Sequence, residues 1–146
     1  MPPTVFDAIV AGDIPCDKLY EDDRVLAFLD INPLREGHAL VIPKKGAPKI
    51  EELDPADAAA IMTAAQQIVP RLVAATGAQD ATLAIHDGPA AGQEVPHVHL
   101  HIIPRKPGDG GGPIHALFLE DRPVVSGEER AALAAKVRSE LVAEAA

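Results

Sequence analysis

Three histidines, His97, His99 and His101, recur at every second position of the run Val95-Pro-His-Val-His-Leu-His-Ile-Ile-Pro-Arg105. That period constrains the fold more than any other feature of the chain. Side chains alternate between the two faces of a strand, so this spacing sets all three imidazoles on one face and Val98, Leu100 and Ile102 on the other. The second set reads as core. Imidazoles cost more to bury than valines, so a merely structural strand has no reason to choose them. The histidine face is expected to bind metal or to do chemistry, because alternate histidines on a strand also present imidazoles well to zinc.

The segment upstream, Ala84-Ile-His-Asp-Gly-Pro-Ala-Ala-Gly-Gln-Glu-Val95, separates those two uses. It reads as a strand end followed by a turn rich in Gly and Pro. Glycines let backbone approach a ligand closely, and consecutive free N–H groups hold an anion. A metal site would want carboxylates or thiolates converging on the imidazoles, whereas this turn offers amides and Gln93. An anion-holding turn that feeds a histidine face suggests phosphoryl or nucleotidyl transfer.

The rest of the chain reads as α+β. Thr4 followed by Asp7 resembles a capping box opening a short helix that Gly12 ends. Lys18–Glu21, Val25–Ile31 and His38–Pro43 read as strands. Asp54 and Pro55 open a long Ala-rich helix running to about Gly77, with Pro70 predicting a kink or break inside it. Thr82–His86 and Val95–Ile103 complete about five strands, and Ser126 with Glu129 opens a terminal helix. Strands in local runs, with helices set apart, suggest an antiparallel sheet. One domain is expected over residues 1–146, with a core at about 4–105, a flexible Gly- and Pro-rich loop at 106–125 and a helix at 126–144.

Composition narrows the partners. Apolar residues make up 47% of the 146 but aromatics only 3%, so the core must be Ala, Val, Ile and Leu. A net charge of −9 argues against a nucleic-acid partner, which demands a basic footprint. No uninterrupted apolar run approaches the ~18–20 residues that span a bilayer, so no membrane partner is expected. The start, Met-Pro-Pro-Thr-Val-Phe-Asp, lacks the basic and apolar stretches of a signal peptide, and Cys16 is the sole cysteine. Both point to the cytoplasm.

His-Val-His-Leu-His-Ile-Ile preceded by Ala-Gly-Gln-Glu-Val resembles the signature of the histidine triad (HIT) superfamily of nucleotide hydrolases and transferases. The likeness extends over Phe6-Asp-Ala-Ile9, Ile14-Pro, Tyr20-Glu-Asp, Leu26-Ala-Phe-Leu-Asp-Ile31 and Gly37-His-Ala-Leu-Val-Ile-Pro-Lys-Lys45. It implies a HIT-like fold, a nucleotide as small-molecule substrate, and a homodimer. It implies that His99 attacks an α-phosphorus to form a nucleotidyl-histidine, which water then cleaves. His101 and His38 would orient the site, and His97 would take a structural hydrogen-bonding role. By the same resemblance Gln93 and the Gly92 backbone hold phosphate, and Asp30 grips the ribose hydroxyls. Phe6, Ile9, Ile14, Phe28, Ile31 and Leu40 match the nucleoside pocket.

Three departures from the family pattern matter. Where many bacterial relatives carry Cys-x-x-Cys and a further His as ligands to structural zinc, this chain has Thr4, Asp7 and Gly46. No metal site and no cofactor are therefore expected, a divalent ion arriving only with a polyphosphate substrate. His86 replaces the usual Asn or Gln at a phosphate-facing position, where it either donates to phosphate when protonated or turns away. Glu94 stands where Ser or Thr often touches phosphate, and is expected to point away. Asp87-Gly-Pro-Ala-Ala-Gly-Gln and Pro104-Arg-Lys-Pro-Gly-Asp are similar to the fragile-histidine-triad (Fhit) branch, which splits dinucleoside polyphosphates. The Trp-Pro ending of the Hint branch, which cleaves nucleoside phosphoramidates, is absent. The expected activity is thus dinucleoside polyphosphate hydrolysis, with phosphoramidate cleavage or non-catalytic nucleotide sensing as alternatives.

Overall fold

A computed structural model describes residues 2–145, which divide into two compact units at Asp109/Gly110. The first unit contains every candidate site residue. It begins with α1 (Val5–Ala11), whose capping box is complete: Thr4 Oγ1 accepts from the Phe6 and Asp7 N–H groups, and Asp7 Oδ2 accepts from Thr4 N–H at 2.7 Å. Five strands follow, β1 (Lys18–Glu21), β2 (Val25–Leu29), β3 (Ala39–Pro43), β4 (Asp80–Ala84) and β5 (Leu100–Arg105). They form one sheet in the order β1-β2-β3-β5-β4, with every neighbouring pair antiparallel.

The long helix α2 (Pro55–Thr76) covers one face. Asp54 Oδ1 caps its first turn by accepting from Ala56 N–H at 2.8 Å. Ile61, Ala64, Ala65, Ile68 and Leu72 form its buried stripe, packed on Val25, Ala27, Ala39, Val41, Leu100 and Ile102. Each large aliphatic side chain buried there is worth ~1.5–3 kcal/mol. The helix is long and apolar enough to match a membrane span by length and composition, but its apolar stripe is spent on the sheet. Pro70 neither breaks nor ends it. Pro70 is exposed and so is Gln66, whose carbonyl loses its helical donor, so water can satisfy that oxygen.

The other face carries the second cluster, Phe6, Leu26, Phe28, Leu40 and Ile42, under α1. The register aligns Phe28, Leu40, His101 and Ala84 in one row across β2, β3, β5 and β4. This row places the triad beside the apolar wall.

Several expected strand limits move. β2 stops at Leu29, β3 starts at Ala39, and β4 covers Asp80–Ala84. The largest change is in the triad strand: β5 begins only at Leu100, so His97 lies in a bend and His99 in the unpaired residues leading into the strand. Val98 N–H there bonds Ala47 O at 2.9 Å instead of joining the ladder. Val98, Leu100 and Ile102 are nevertheless core, as their alternation requires.

The second unit holds a short 3-10 turn (Ile114–Leu117) and α3 (Gly127–Ala145), so the stretch expected as plain loop has local structure. Arg122 clamps the turn through the carbonyls of Phe118 and His115, each at 3.0 Å. Ser126 Oγ caps α3 by accepting from Glu129 N–H at 3.1 Å.

Candidate active site

Hydrogen bonds assign the proton on each imidazole. His99 lies close to its own chain, with Nδ1 at 2.8 Å from His97 O. A carbonyl only accepts, so Nδ1 carries the proton and Nε2 keeps its lone pair. His38 Nδ1 accepts from Leu34 N–H at 3.1 Å, which puts the His38 proton on Nε2. That proton is donated to His101 Nδ1 at 2.9 Å. His101 therefore holds its own proton on Nε2, free to donate to a phosphate oxygen. His97 Nε2–H donates to Pro43 O at 2.8 Å.

These bonds define the tautomers that neutral His99, His38 and His101 adopt. Burial pushes His38 and His99 below the usual imidazole value, and neighbouring imidazoles add to the effect on His99. For His101 burial is again the main cause, followed by His99, His38 and His86, and its value falls to about 4. Asp30 opposes these shifts, with Oδ2 at 3.7 Å from His38 Nε2.

The shifts predict an acid-labile fold. In the unfolded chain an imidazole takes up its proton near pH ~6.5, whereas in the folded chain His101 does so only near 4. Between these values the unfolded state binds more protons, so stability rises with pH. The contribution is complete above pH ~6.5 and disappears as pH falls towards ~4. The melting temperature should drop across that window, and His101→Gln should flatten the drop. A wild-type melting temperature that stays level there would contradict the assignment.

The apolar wall is built from Phe6, whose ring meets His99 edge-on at 5.0 Å, His97 at 5.7 Å and Phe28 at 5.9 Å between centroids. Phe28 and Leu40 are buried beside it, and Ile9 packs against the same cluster. Two expected members do not join them. Ile14 is partly exposed beyond the end of α1, and Ile31 is 83% exposed. Asp30 Oδ1 accepts from Asn32 N–H at 2.9 Å, which turns the chain off the sheet just where Ile31 stands. Asp30 therefore serves the turn with one oxygen and faces His38 with the other.

Gln93 and Gly92 also depart from their expected role. The Gln93 carboxamide accepts from Gly88 N–H at 2.9 Å and donates to Pro48 O at 2.8 Å. Gly92 N–H bonds Pro89 O and Gln93 N–H bonds Gly88 O. These donors tie the turn together, because a loop bent this tightly must satisfy its own backbone groups first. His101 Nε2–H, by contrast, has no acceptor among the described residues. Glu94 is exposed.

A match to the family model of the HIT domain covers residues 11–108. The chain belongs to the HIT family. It is similar to an adenylylsulfatase of Arabidopsis thaliana, 48% identical over 105 residues that cover 72% of this chain and 53% of that protein. The chain thus spans about half the length of that relative. An adenosine 5'-monophosphoramidase of Schizosaccharomyces pombe is 46% identical over 69% of this chain and 73% of its own. Among solved structures, a HIT family protein of Bacillus anthracis aligns with a TM-score of 0.83 at 35% identity, covering 93% of this chain and 95% of that one.

Among the described residues two groups invite a metal reading, and the donor chemistry of each argues against it. Thr4, Asp7 and Gly46 do gather around His97, with Thr4 Oγ1 at 3.4 Å and Asp7 Oδ1 at 3.7 Å from Nδ1. One imidazole nitrogen, a hydroxyl and a carboxylate already used in a helix cap are not a zinc set. Asp30, His38 and His101 also converge. There the Leu34 N–H on His38 Nδ1 keeps the His38 proton on Nε2, where a metal would have to bind.

Proposed function

We propose that this HIT-domain protein is a nucleotide hydrolase that cleaves at the α-phosphate through a covalent intermediate on His99. The observation that carries this reading is the His99 Nδ1 bond to His97 O, which leaves Nε2 bare and aimed away from its own chain. Nε2 attacks phosphorus, and the bond to the leaving group breaks. The new imidazolium keeps its Nδ1–H on the carbonyl, whose partial negative charge stabilises it. His101 Nε2–H, polarised by the His38 bond at Nδ1, steadies a non-bridging phosphate oxygen as charge shifts there. Water then releases the nucleoside monophosphate.

For the leaving group, the similarity to a phosphoramidase and an adenylylsulfatase favours a small amine or sulfate on AMP. Dinucleoside polyphosphates are the second reading, favoured by the Fhit-like Asp87–Gln93 turn. A homodimer without resident metal, working in the cytoplasm, completes the proposal. The open edge of β4 suits a second copy, since its unpaired backbone groups lie beside exposed Leu83 and Met62.

A substrate panel tests the reading: AMP phosphoramidate, adenylyl sulfate, diadenosine triphosphate and diadenosine tetraphosphate, each followed by release of AMP. The phosphoramidate and the sulfate are expected to be turned over fastest. Preference for a dinucleoside polyphosphate would select the second reading, and binding of AMP without turnover of any substrate would make the protein a sensor.

A further inference from the structure

Breaking the bond between phosphorus and an amine or oxygen leaves an electron pair on the departing atom. An amine anion is a very poor leaving group, so a proton must reach it as the bond breaks. Three of the imidazoles at the site cannot supply one. His99 has its single proton fixed on a carbonyl, and His38 gives its own to His101. His101 stays neutral down to about 4, and its one proton serves the phosphate.

A fourth ring stands at the mouth of the site. Ala84 lies opposite His101 in the β4–β5 ladder. Two residues further on, just past the end of β4, His86 reaches the same group of imidazoles. Its ring centroid is 5.5 Å from that of His101. Gly92 lies beside it, where a Cβ would make ordinary contact with His86 Nδ1 at 3.7 Å. The residue is exposed, and among the described residues no hydrogen bond or ion pair occupies its ring. Solvent therefore reaches the ring, whose nitrogens can both donate and accept a proton. The titratable groups it faces are His99 and His101, and its proximity adds to the lowering of both.

Resting on the nucleotidyl-transfer reading above, we propose that His86 is the general acid for the leaving group and then the general base for water. In the first step His99 Nε2 forms a bond to phosphorus, the bond to the leaving atom breaks with its electron pair, and His86 passes its proton to that atom. In the second, neutral His86 takes a proton from water as its oxygen bonds to phosphorus. The P–N bond breaks, its electron pair returns to His99 Nε2, and His86 is again protonated.

The test compares His86→Gln with wild type on two AMP derivatives, one with an alkylamine leaving group and one with 4-nitrophenolate, which departs without a proton. The readout is kcat/KM, which reports on steps up to departure of the leaving group. His86→Gln should lower it by ~100-fold or more for the amine but by less than about threefold for the nitrophenyl ester. The Kd for AMP, measured alongside, should be unchanged. Equal losses on both substrates, or no loss on the amine, would overturn the role of His86. Failure of the wild type to cleave either would instead overturn the nucleotidyl-transfer reading beneath it.

Discussion

His99→Ala should abolish turnover, by at least ~10⁴-fold, while AMP still binds. The other two triad imidazoles cannot replace the missing lone pair. His101 Nδ1 already accepts from His38, and His97 is fully buried against Pro43 O. Binding should survive because Phe6, Phe28, Leu40 and Asp30 stand on other elements, and Phe6, which loses its edge contact with His99, keeps those with Phe28 and His97. Burst kinetics and isolation of a nucleotidyl-protein by mass spectrometry would follow the covalent step directly. Retention of more than ~1% of the wild-type rate would end the covalent mechanism.

Gly46→Ala should damage the protein as severely, from a position that never meets substrate. A Cβ at Gly46 would sit 2.4 Å from both Cε1 and Nδ1 of His97 and 2.9 Å from Cγ. The ring cannot yield, since it is wholly buried, bonded to Pro43 O and flanked edge-on by Phe6. Overpacking of this kind costs ~1–3 kcal/mol, which here means a fall of several degrees in melting temperature. The displaced His97 carbonyl would also lose the His99 proton, so kcat should fall more than AMP affinity. A variant with the wild-type melting temperature and kcat would show that the contact is slack.

Much of this was legible in the residues. Thr4 with Asp7 and Asp54 with Pro55 opened the helices expected of them, because a cap is a local signal that needs no tertiary partner. The β-branched and aliphatic runs gave the five strands, and alternation correctly assigned Val98, Leu100 and Ile102 to the core. Alternation failed upstream of Leu100, where the bond from Val98 N–H to Ala47 O takes the chain out of the ladder and His97 under Gly46. The contacts of Gln93 were hidden for a related reason. Its partner Pro48 is 45 residues away in the chain, and no pattern in sequence signals that approach. Pro70 showed the converse, a strong local signal overruled because the carbonyl it orphans faces water.

The proton on His99 Nδ1 rests on a main-chain carbonyl and not on a carboxylate side chain. In a site whose histidine is oriented by Asp or Glu, one base change can remove the orienting group and reverse the tautomer. Here every amino acid at position 97 would still offer the same oxygen. Genetic drift can reach the protonation of His99 only by bending the backbone between positions 97 and 99.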